Sequence, residues 1–256
     1  MTPTATPPAR PVVVITGAST GIGAALAARL APTHSLVLVA RRADALRDVA
    51  ASLGSTNVVT VTADVTVRSQ VEDVVETTLA QYSRLDVWVN NVGRGITRAP
   101  SALTDEDLDE MMRVNVKSAL YGMQAVLPHF QLVGRGHVIN VSSMLGRVPM
   151  ATFRSAYNGA KHFLNALTAN MRAEVQETYP EIQFSLVSPG VVRTEFGNNA
   201  VHGGPDSRTL PNGQSAEEVA EVIARVIADR RADVYTRTGM ADMAVTYLKG
   251  LAQDPQ

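Results

Sequence analysis

Short runs of β-branched and other apolar residues alternate with longer amphipathic stretches along almost the whole chain, a pattern that few folds accommodate. Strands are predicted at 11–16, 35–40, 58–62, 85–90, 137–142, 182–188 and 232–236. Helices are predicted at 21–31, 43–53, 68–82, 104–132, 155–179 and 215–229. This order is typical of strand–helix–strand units, and strands that are apolar on both faces need helices on both sides. We therefore predict an α/β fold with a doubly wound, seven-stranded parallel sheet flanked by helices on both faces.

Length and composition favour one globular domain. With 256 residues, of which 45% are hydrophobic and 18% charged, the chain can bury one large core. We predict a single domain over 11–256 and a disordered tail at 1–10, because residues 1–11 hold four prolines and no apolar run suited to a signal peptide or membrane span. The segment 191–214 is too long for an ordinary connection, so we interpret it as a substrate loop, with a plain surface loop as the alternative.

Charge and cysteine content exclude several classes of function. A formal net charge of -1 provides no general attraction to phosphate backbones, so no nucleic-acid partner is expected. The chain has no cysteine, which excludes disulfides and thiolate metal sites and is compatible with the cytoplasmic location that we expect. The five histidines are scattered without the spacing of metal ligands, so no metal site is predicted.

A glycine-rich turn follows the first predicted strand and begins the first predicted helix. It reads Thr-Gly-Ala-Ser-Thr-Gly-Ile-Gly over residues 16–23. Glycines permit a tight turn and let the N-terminus of a helix approach a pyrophosphate, which indicates a dinucleotide-binding site of the Rossmann type. A merely structural turn is the alternative. The cofactor contacts predicted in this turn are Gly17, Ser19, Thr20, Gly21, Ile22 and Gly23.

Two arginines at the end of the second predicted strand favour NADP(H) over NAD(H). Arg41 and Arg42 stand where an acidic residue would bind the ribose of NAD, and arginine there accommodates the extra phosphate of NADP. The alternative is that they only solvate the start of the next helix, above all Arg42. Asp64, followed by Val65, comes after the third strand, where its carboxylate either binds the adenine amino group or caps a turn.

Asparagine and glycine end the fourth predicted strand, at the edge where such sheets bind ligands. Asn90 can bridge neighbouring strands, while Asn91 and Gly93 are predicted cofactor contacts; ordinary turn chemistry is the alternative. Asn115 falls on the apolar stripe of helix 104–132. Because a buried amide needs partners, Asn115 either bonds to backbone or holds a water that connects Lys161 to solvent. The stripe consists of Leu108, Met111, Met112, Ala119, Met123 and Val126.

Tyr157 and Lys161 lie four residues apart on a predicted helix and so share one face. An ammonium group lowers the pKa of a nearby phenol from about 10, which predicts that Tyr157 exchanges a proton with a carbonyl or alcohol near neutral pH. Ser142 and Ser143 end the fifth strand, where a hydroxyl can stabilise charge on a substrate oxygen. The alternatives are a chance pair on a solvated helix and a routine serine turn.

Together these residues resemble the short-chain dehydrogenase/reductase family, in chain order and over nearly the whole chain. The matching motifs are 16–23, 90–93, Asn115, Ser143, 157–161 and 189–194. The resemblance implies that Tyr157 is the general acid/base and that Lys161 lowers its pKa and binds the nicotinamide ribose. It implies that Ser143 orients the substrate, that Asn115 supports a proton-relay water and that Thr194 contacts the nicotinamide carboxamide. The further predicted cofactor contacts are Pro189, Gly190 and Val192.

The hypothesis that accounts for all these residues is an NADP(H)-dependent oxidoreductase acting on a carbonyl or secondary alcohol. The alternatives are an NAD(P)-dependent epimerase or dehydratase and a non-catalytic dinucleotide-binding regulator. An apolar pocket predicts a moderately hydrophobic small-molecule substrate. Its predicted lining is Leu145, Val148, Met150, Phe153, Val191 and Phe196. The resemblance also implies a homo-oligomer, a tetramer or dimer, built from helices 104–132 and 155–179. Residues 240–251 are expected to form a helix that closes the site or joins subunits.

Overall fold

The computed structural model describes residues 10–251. The predicted tail at 1–10 lies, except for Arg10, outside the described residues. The strands are β1 (Val12–Thr16), β2 (Ser35–Ala40), β3 (Val58–Thr62), β4 (Val87–Asn90), β5 (Gly136–Val141), β6 (Ile182–Ser188) and β7 (Asp233–Tyr235). The helices are α1 (Gly21–Leu30), α2 (Ala43–Ser52), α3 (Arg68–Tyr82), α4 (Asp105–Met112), α5 (Ser118–Val133), α6 (Ser155–Gln176), α7 (Ala216–Asp229) and α8 (Met240–Leu251).

The strands form one seven-stranded parallel sheet in the order β3-β2-β1-β4-β5-β6-β7, which confirms the predicted fold. From β1 the chain first winds outward to β2 and β3, and then returns to place β4 on the other side of β1. This reversal leaves a crevice beyond the carboxyl ends of β1 and β4, the position where open α/β sheets bind ligands. The glycine turn and the Asn-Asn segment both begin there.

Helices cover both faces of the sheet and complete two apolar layers. One layer packs α1, α2 and α7 against the sheet through Leu26, Leu46 and Ile223. The opposite layer packs α3, α5 and α6 around Trp88 and Phe130, which are fully buried. Since both faces of the central strands are covered, their side chains are apolar almost without interruption, as the sequence shows.

The predicted helix 104–132 is interrupted near its middle. Thr104 and Asp107 form a capping box that begins α4, but residues Arg113–Lys117 form a π turn before α5 continues. The predicted stripe is wrong at Leu108, which is 45% exposed. The buried residues of α4 are Asp107 and Met111. Leu108 follows Asp107 and is therefore rotated by about 100° around the helix axis, toward solvent.

The segment 191–214 contains no regular helix or strand, yet backbone pairing fastens it to the rest of the domain. Val192 pairs with Gln214 at its ends, and Val201 pairs with Ile96. Residues Met240–Leu251 form the helix α8, whose Ala244 packs on the chain that follows β5. No helix among residues 10–251 has both the length and the apolar character required to cross a membrane.

Candidate active site

A cavity of about 1680 Å³ lies at the carboxyl ends of the central strands and extends under the 191–214 segment. Nearly all residues predicted to bind cofactor or take part in catalysis line it. Gly23 and Asn115 are the exceptions and lie directly behind its wall. The predicted residues that line the cavity are Gly17, Ser19, Thr20, Gly21, Ile22, Arg41, Arg42, Asp64, Val65, Asn91, Gly93, Ser143, Tyr157, Lys161, Pro189, Gly190, Val192 and Thr194.

The glycine turn is held in a shape that only glycine adopts without strain at two positions. Gly17 and Gly21 have φ of 66° and 56°. A Cβ atom on Gly23 would stand 2.3 Å from the carbonyl oxygen of Gly17, so the third glycine permits the close packing of α1 on the turn. Thr20, the N-cap of α1, makes no capping hydrogen bond through its side chain. The first backbone N–H groups of α1 are therefore available to an anion in the cavity.

Asn91 connects the glycine turn to the end of β4. Its Nδ2 donates to the carbonyl oxygens of Thr16, at 3.0 Å, and of Gly17, at 3.3 Å. The Oγ1 of Thr16 accepts from the Asn91 backbone N–H at 3.0 Å and donates to the carbonyl of Val89. The neighbouring Asn90 reaches away from the cavity, where its Nδ2 donates to Asn140 on β5 at 2.8 Å. Asn90 thus bridges strands, and Asn91 shapes the turn.

Arg41 and Arg42 are exposed at the cavity rim, between β2 and α2. Asp64 lies across from them, and its Oδ1 accepts from the backbone N–H and the hydroxyl of Thr66, at 2.9 and 2.7 Å. Of its two predicted roles, turn capping is thus present in the structure. Burial acts to raise the pKa of Asp64, but the bonds from Thr66 and the charges of Arg41 and Arg113 outweigh it and hold the pKa below its ordinary value.

Asn115 is bonded to backbone, one of the two alternatives for it. Its Nδ2 donates to the carbonyls of Arg94, at 3.0 Å, and Met111, at 3.1 Å, and its Oδ1 accepts from the Arg94 N–H. The π turn gives Asn115 this position. A Cβ atom on Gly93 would stand 3.2 Å from the Asn115 Oδ1 and 3.5 Å from the Lys161 Nζ, so the missing side chain leaves room at the end of the lysine.

Lys161 is buried, and its Nζ donates to the carbonyl of Val141 at 2.9 Å. The Nζ lies 5.7 Å from the centroid of the Tyr157 ring. Burial disfavours the charged form and lowers the pKa of Lys161 to about 8. At neutral pH the ammonium form still prevails.

Tyr157 lies one turn before Lys161 and is 5% exposed. Burial raises the pKa of Tyr157 to about 12, although the nearby Ser143 side chain and the charge of Arg154 act to lower it. The predicted direction of this shift is therefore wrong for the protein alone, because loss of hydration outweighs the effects of Ser143 and of the charge of Arg154. The phenol is neutral at neutral pH.

The two serines that follow β5 point to different places. Ser143 lies near enough to Tyr157 to act on the pKa of its phenol, and its Oγ accepts from the backbone N–H of Leu145 at 3.1 Å. Ser142 instead donates from its Oγ to the Oδ1 of Asn165 on α6, at 2.5 Å. The structure thus brings Ser143, rather than Ser142, next to the phenol of Tyr157.

The outer part of the cavity is lined by apolar side chains together with charged ones such as Arg94, Glu195 and Arg208. Val148 does not line the cavity, because the short helical turn Met144–Gly146 directs it elsewhere. It packs against Met144 of that turn and against Ala244 of α8. The predicted apolar residues that do line the cavity are Leu145, Met150, Phe153, Val191 and Phe196. In the part of the chain that the structure describes, no cluster of three or more metal-ligating side chains occurs.

Arg154 is a charged residue of this site that the sequence did not lead us to expect. Arg154 immediately precedes α6, lines the cavity and is 6% exposed. The available signal was its place in the sequence, three residues before Tyr157 and with no acidic residue nearby between 143 and 161. A cation one helical turn from a catalytic phenol is expected to face the same space.

The chain is similar in sequence and fold to known oxidoreductases. Residues 11–203 match the family model described as short chain dehydrogenase. An uncharacterized oxidoreductase of Staphylococcus saprophyticus is 36% identical over 186 residues, which span 72% of this chain and 75% of that protein. A short-chain dehydrogenase from Streptomyces avermitilis has a TM-score of 0.82 at 28% identity, covering 95% of this chain and 93% of that one. A short-chain dehydrogenase from Sphingobium yanoikuyae, solved with NADPH, has a TM-score of 0.79 at 29% identity, covering 96% and 97%.

Proposed function

Since this chain belongs to the short-chain dehydrogenase family, we propose that it transfers a hydride between NADP(H) and a carbonyl or secondary alcohol, with Tyr157 as general acid/base. One observation carries the proposal. The phenol of Tyr157 lies next to Ser143 and one turn from the ammonium of Lys161, and it lines the same cavity as the glycine turn. A binding protein without catalysis would not need a buried phenol, hydroxyl and cation together.

The residues of the cavity fit a nicotinamide dinucleotide. The uncapped N-terminus of α1 suits the pyrophosphate. The missing side chain of Gly93 leaves space beside Lys161 and Asn115, which suits a ribose and its ring. Thr194 reaches back to the turn, since a Cβ atom on Gly21 would stand 3.3 Å from its Cγ2. A bound cofactor would supply the hydride in carbonyl reduction, while the protein supplies the proton; in alcohol oxidation it would accept the hydride, while the protein takes up the proton.

Each residue then has a distinct task. Ser143 donates a hydrogen bond to the substrate oxygen and orients it beside the phenol. Tyr157 donates its proton to that oxygen during carbonyl reduction, for which a neutral phenol is the required form. Lys161 stabilises the resulting phenolate by its charge, and Asn115 holds the backbone around Gly93 and Arg94 so that a proton-relay water reaches Lys161.

The preference for NADP(H) over NAD(H) is supported by Arg41 and Arg42. Both are exposed at the rim near Asp64, and no carboxylate is within ion-pair distance of either arginine in the described part of the chain. Two unpaired guanidinium groups suit a 2′-phosphate. The Sphingobium yanoikuyae enzyme, at 29% identity, binds NADPH.

We also expect the protein to be cytoplasmic and to form a homo-oligomer joined through α5 and α6. Sedimentation velocity tests the oligomeric state.

The decisive experiment follows NADPH absorbance during incubation with a panel of ketones, aldehydes and, in reverse, secondary alcohols. Replacement of Tyr157 by Phe removes the proton donor while keeping the ring, and we expect turnover to fall by about 10²–10⁴-fold. Undiminished turnover in this variant, or no turnover of any carbonyl or alcohol by the wild type, contradicts the proposed function.

Cofactor preference is measured as the ratio of kcat/KM for NADPH to that for NADH. Arg41→Ala should reduce this ratio by about tenfold or more, because a charged hydrogen bond to phosphate is lost. Arg47→Ala is the matched control, since Arg47 is exposed on α2 but does not line the cavity. An equal effect of the two substitutions would show that Arg41 acts only through surface charge.

A further inference from the structure

Arg154 occupies an unusual position for a charged side chain. It is 6% exposed and lies at the start of α6, one turn before Tyr157. Two glycines leave room for its guanidinium group. A Cβ atom on Gly95 would stand 2.8 Å from Nη1, and one on Gly204 would stand 3.2 Å from Nη2. The guanidinium group therefore lies in a narrow slot between the chain after β4 and the 191–214 segment.

The hydrogen bonds of Arg154 involve one of its three nitrogens. Nη1 donates to the carbonyl of Ile96 at 3.2 Å and to the hydroxyl of Thr97 at 3.4 Å. Within residues 10–251, neither Nη2 nor Nε donates a hydrogen bond to the protein. These two nitrogens form the edge of a guanidinium group that binds a carboxylate through two parallel hydrogen bonds.

Two other arginines that line the cavity, Arg94 and Arg208, have acidic partners. Arg94 pairs with Glu110 at 3.2 Å, and Arg208 pairs with Asp206 at 2.7 Å. None of the ion pairs formed by the described residues includes Arg154. Burial lowers the pKa of Arg154, and the neighbouring Tyr157 acts in the opposite direction. Nη2 and Nε of Arg154 are not among the fully enclosed, unpartnered side-chain atoms of the described residues, and Arg154 lines the cavity, so these two donors are open to a ligand there.

We propose that Arg154 is a specificity-determining residue that binds a carboxylate of the substrate, so that this enzyme acts on carbonyl compounds that carry a carboxylate. This inference rests on the proposed function. The slot has one cation, which balances the single charge of a carboxylate but only part of the charge of a phosphate monoester. The aromatic ring of Phe153 lies 5.3 Å from the guanidinium carbon, and the ring of Phe196 lies 5.5 Å from that of Tyr157. The remainder of the substrate is therefore apolar.

The binding test uses compounds that cannot react, so that it does not depend on turnover. Calorimetry measures the dissociation constants of 4-phenylbutanoate and of the neutral 4-phenylbutanamide for the wild type in the presence of NADP⁺. We expect the carboxylate to bind at least about tenfold more tightly, because its two charge-assisted hydrogen bonds are shielded from water. Equal affinities, tighter binding of the amide, or no binding of either compound overturn the proposal.

Variants then assign the preference to Arg154. In Arg154→Met the tenfold difference should disappear, and in Arg154→Lys, which keeps the charge but loses the planar fork, part of it should return. Circular dichroism and thermal unfolding establish that each variant is folded. If Arg154→Met does not fold, the Arg154→Lys result decides, and full retention of the preference in that variant contradicts the two-bond geometry.

A kinetic measurement separates this inference from the proposed function. The wild type is assayed with NADPH and 2-oxo-4-phenylbutanoate or its ethyl ester, and the ratio of the two kcat/KM values is compared with the ratio for Arg154→Met. A purely structural role of Arg154 would lower both values together and leave the ratio unchanged, which refutes the inference. Reduction of the ester but not of the acid refutes it as well while leaving the proposed function intact. Absence of any hydride transfer, with carboxylate binding retained in calorimetry, contradicts only the proposed function.

Discussion

Replacement of Lys161 by Met should make the cofactor-free protein more stable at neutral pH, although it removes a residue of the candidate site. The pKa of Lys161 is lowered from 10.5 to about 8 by burial. Each pKa unit corresponds to about 1.4 kcal/mol, so burying the ammonium costs about 3 kcal/mol at pH 7. The lost hydrogen bond to Val141 offsets about 1 kcal/mol of the gain, which leaves a net stabilisation of about 2 kcal/mol.

The stabilisation should depend on pH in a defined direction. Below about pH 8 both the folded and the unfolded state hold the proton, so the cost of burial is present in full. As the pH rises from 8 toward 10.5, the folded state loses the proton first and the cost declines. At about pH 10 less than about 1 kcal/mol of the cost remains, so the wild type and the variant should be equally stable.

Urea unfolding of the cofactor-free proteins at about pH 7 and about pH 10 measures this difference. Lys249→Met is the matched control, because Lys249 is exposed on α8 and its substitution should change stability little at either pH. Greater stability of the wild type at pH 7, or a gain in Lys161→Met that persists unchanged at pH 10, would refute the reasoning from desolvation.

Two further pairs of substitutions test the packing and the site. Gly122→Ala should lower the free energy of unfolding by at least about 2 kcal/mol in a urea titration, because its Cβ would stand 2.3 Å from Trp88 Nε1. Gly159→Ala on α6 adds a Cβ with no atom within 4 Å, so it should stabilise the protein by about 0.5–1 kcal/mol. A similar loss of stability in both variants would mean that helix propensity, rather than packing, determines the change in the free energy of unfolding. Ser143→Ala should lower kcat by about 10²-fold in the NADPH assay. Ser142→Ala should lower the melting temperature but retain turnover, and the reverse pattern would show that Ser142 faces the substrate.

The fold was predictable from sequence because several strands are apolar on both faces and because the strands alternate with longer amphipathic stretches. Several observed ends of helices and strands differ from the predicted ends by one to three residues, because fraying and capping determine where an element ends. The interruption at Arg113–Lys117 was not predictable, since a π turn leaves no clear signal in the spacing of apolar residues. Its consequence is visible at Asn115, whose amide reaches Arg94 from that turn.

The candidate site was predictable in its residues but less so in its electrostatics. The glycines, Tyr157 and Lys161 have recognisable spacing, and parallel strands bring their ends together. A pKa depends on burial, which no local spacing reveals, so the shift of Tyr157 was assigned the wrong direction. Arg154 was missed for a similar reason, because only the fold shows that it is enclosed between segments about 58 and 50 residues away in sequence, at Ile96 and Gly204.

The two buried cations near Tyr157 explain why the same groups can weaken the fold and serve the reaction. Neither Lys161 nor Arg154 has a carboxylate partner within residues 10–251, so each carries an uncompensated cost of desolvation. An internal carboxylate would remove that cost, but it would also raise the pKa of the phenol further and repel an anionic substrate. Because both charges are unpaired, their electric field acts on the phenol and on the ligand. The phenol becomes an anion during turnover, and the ligand carries one.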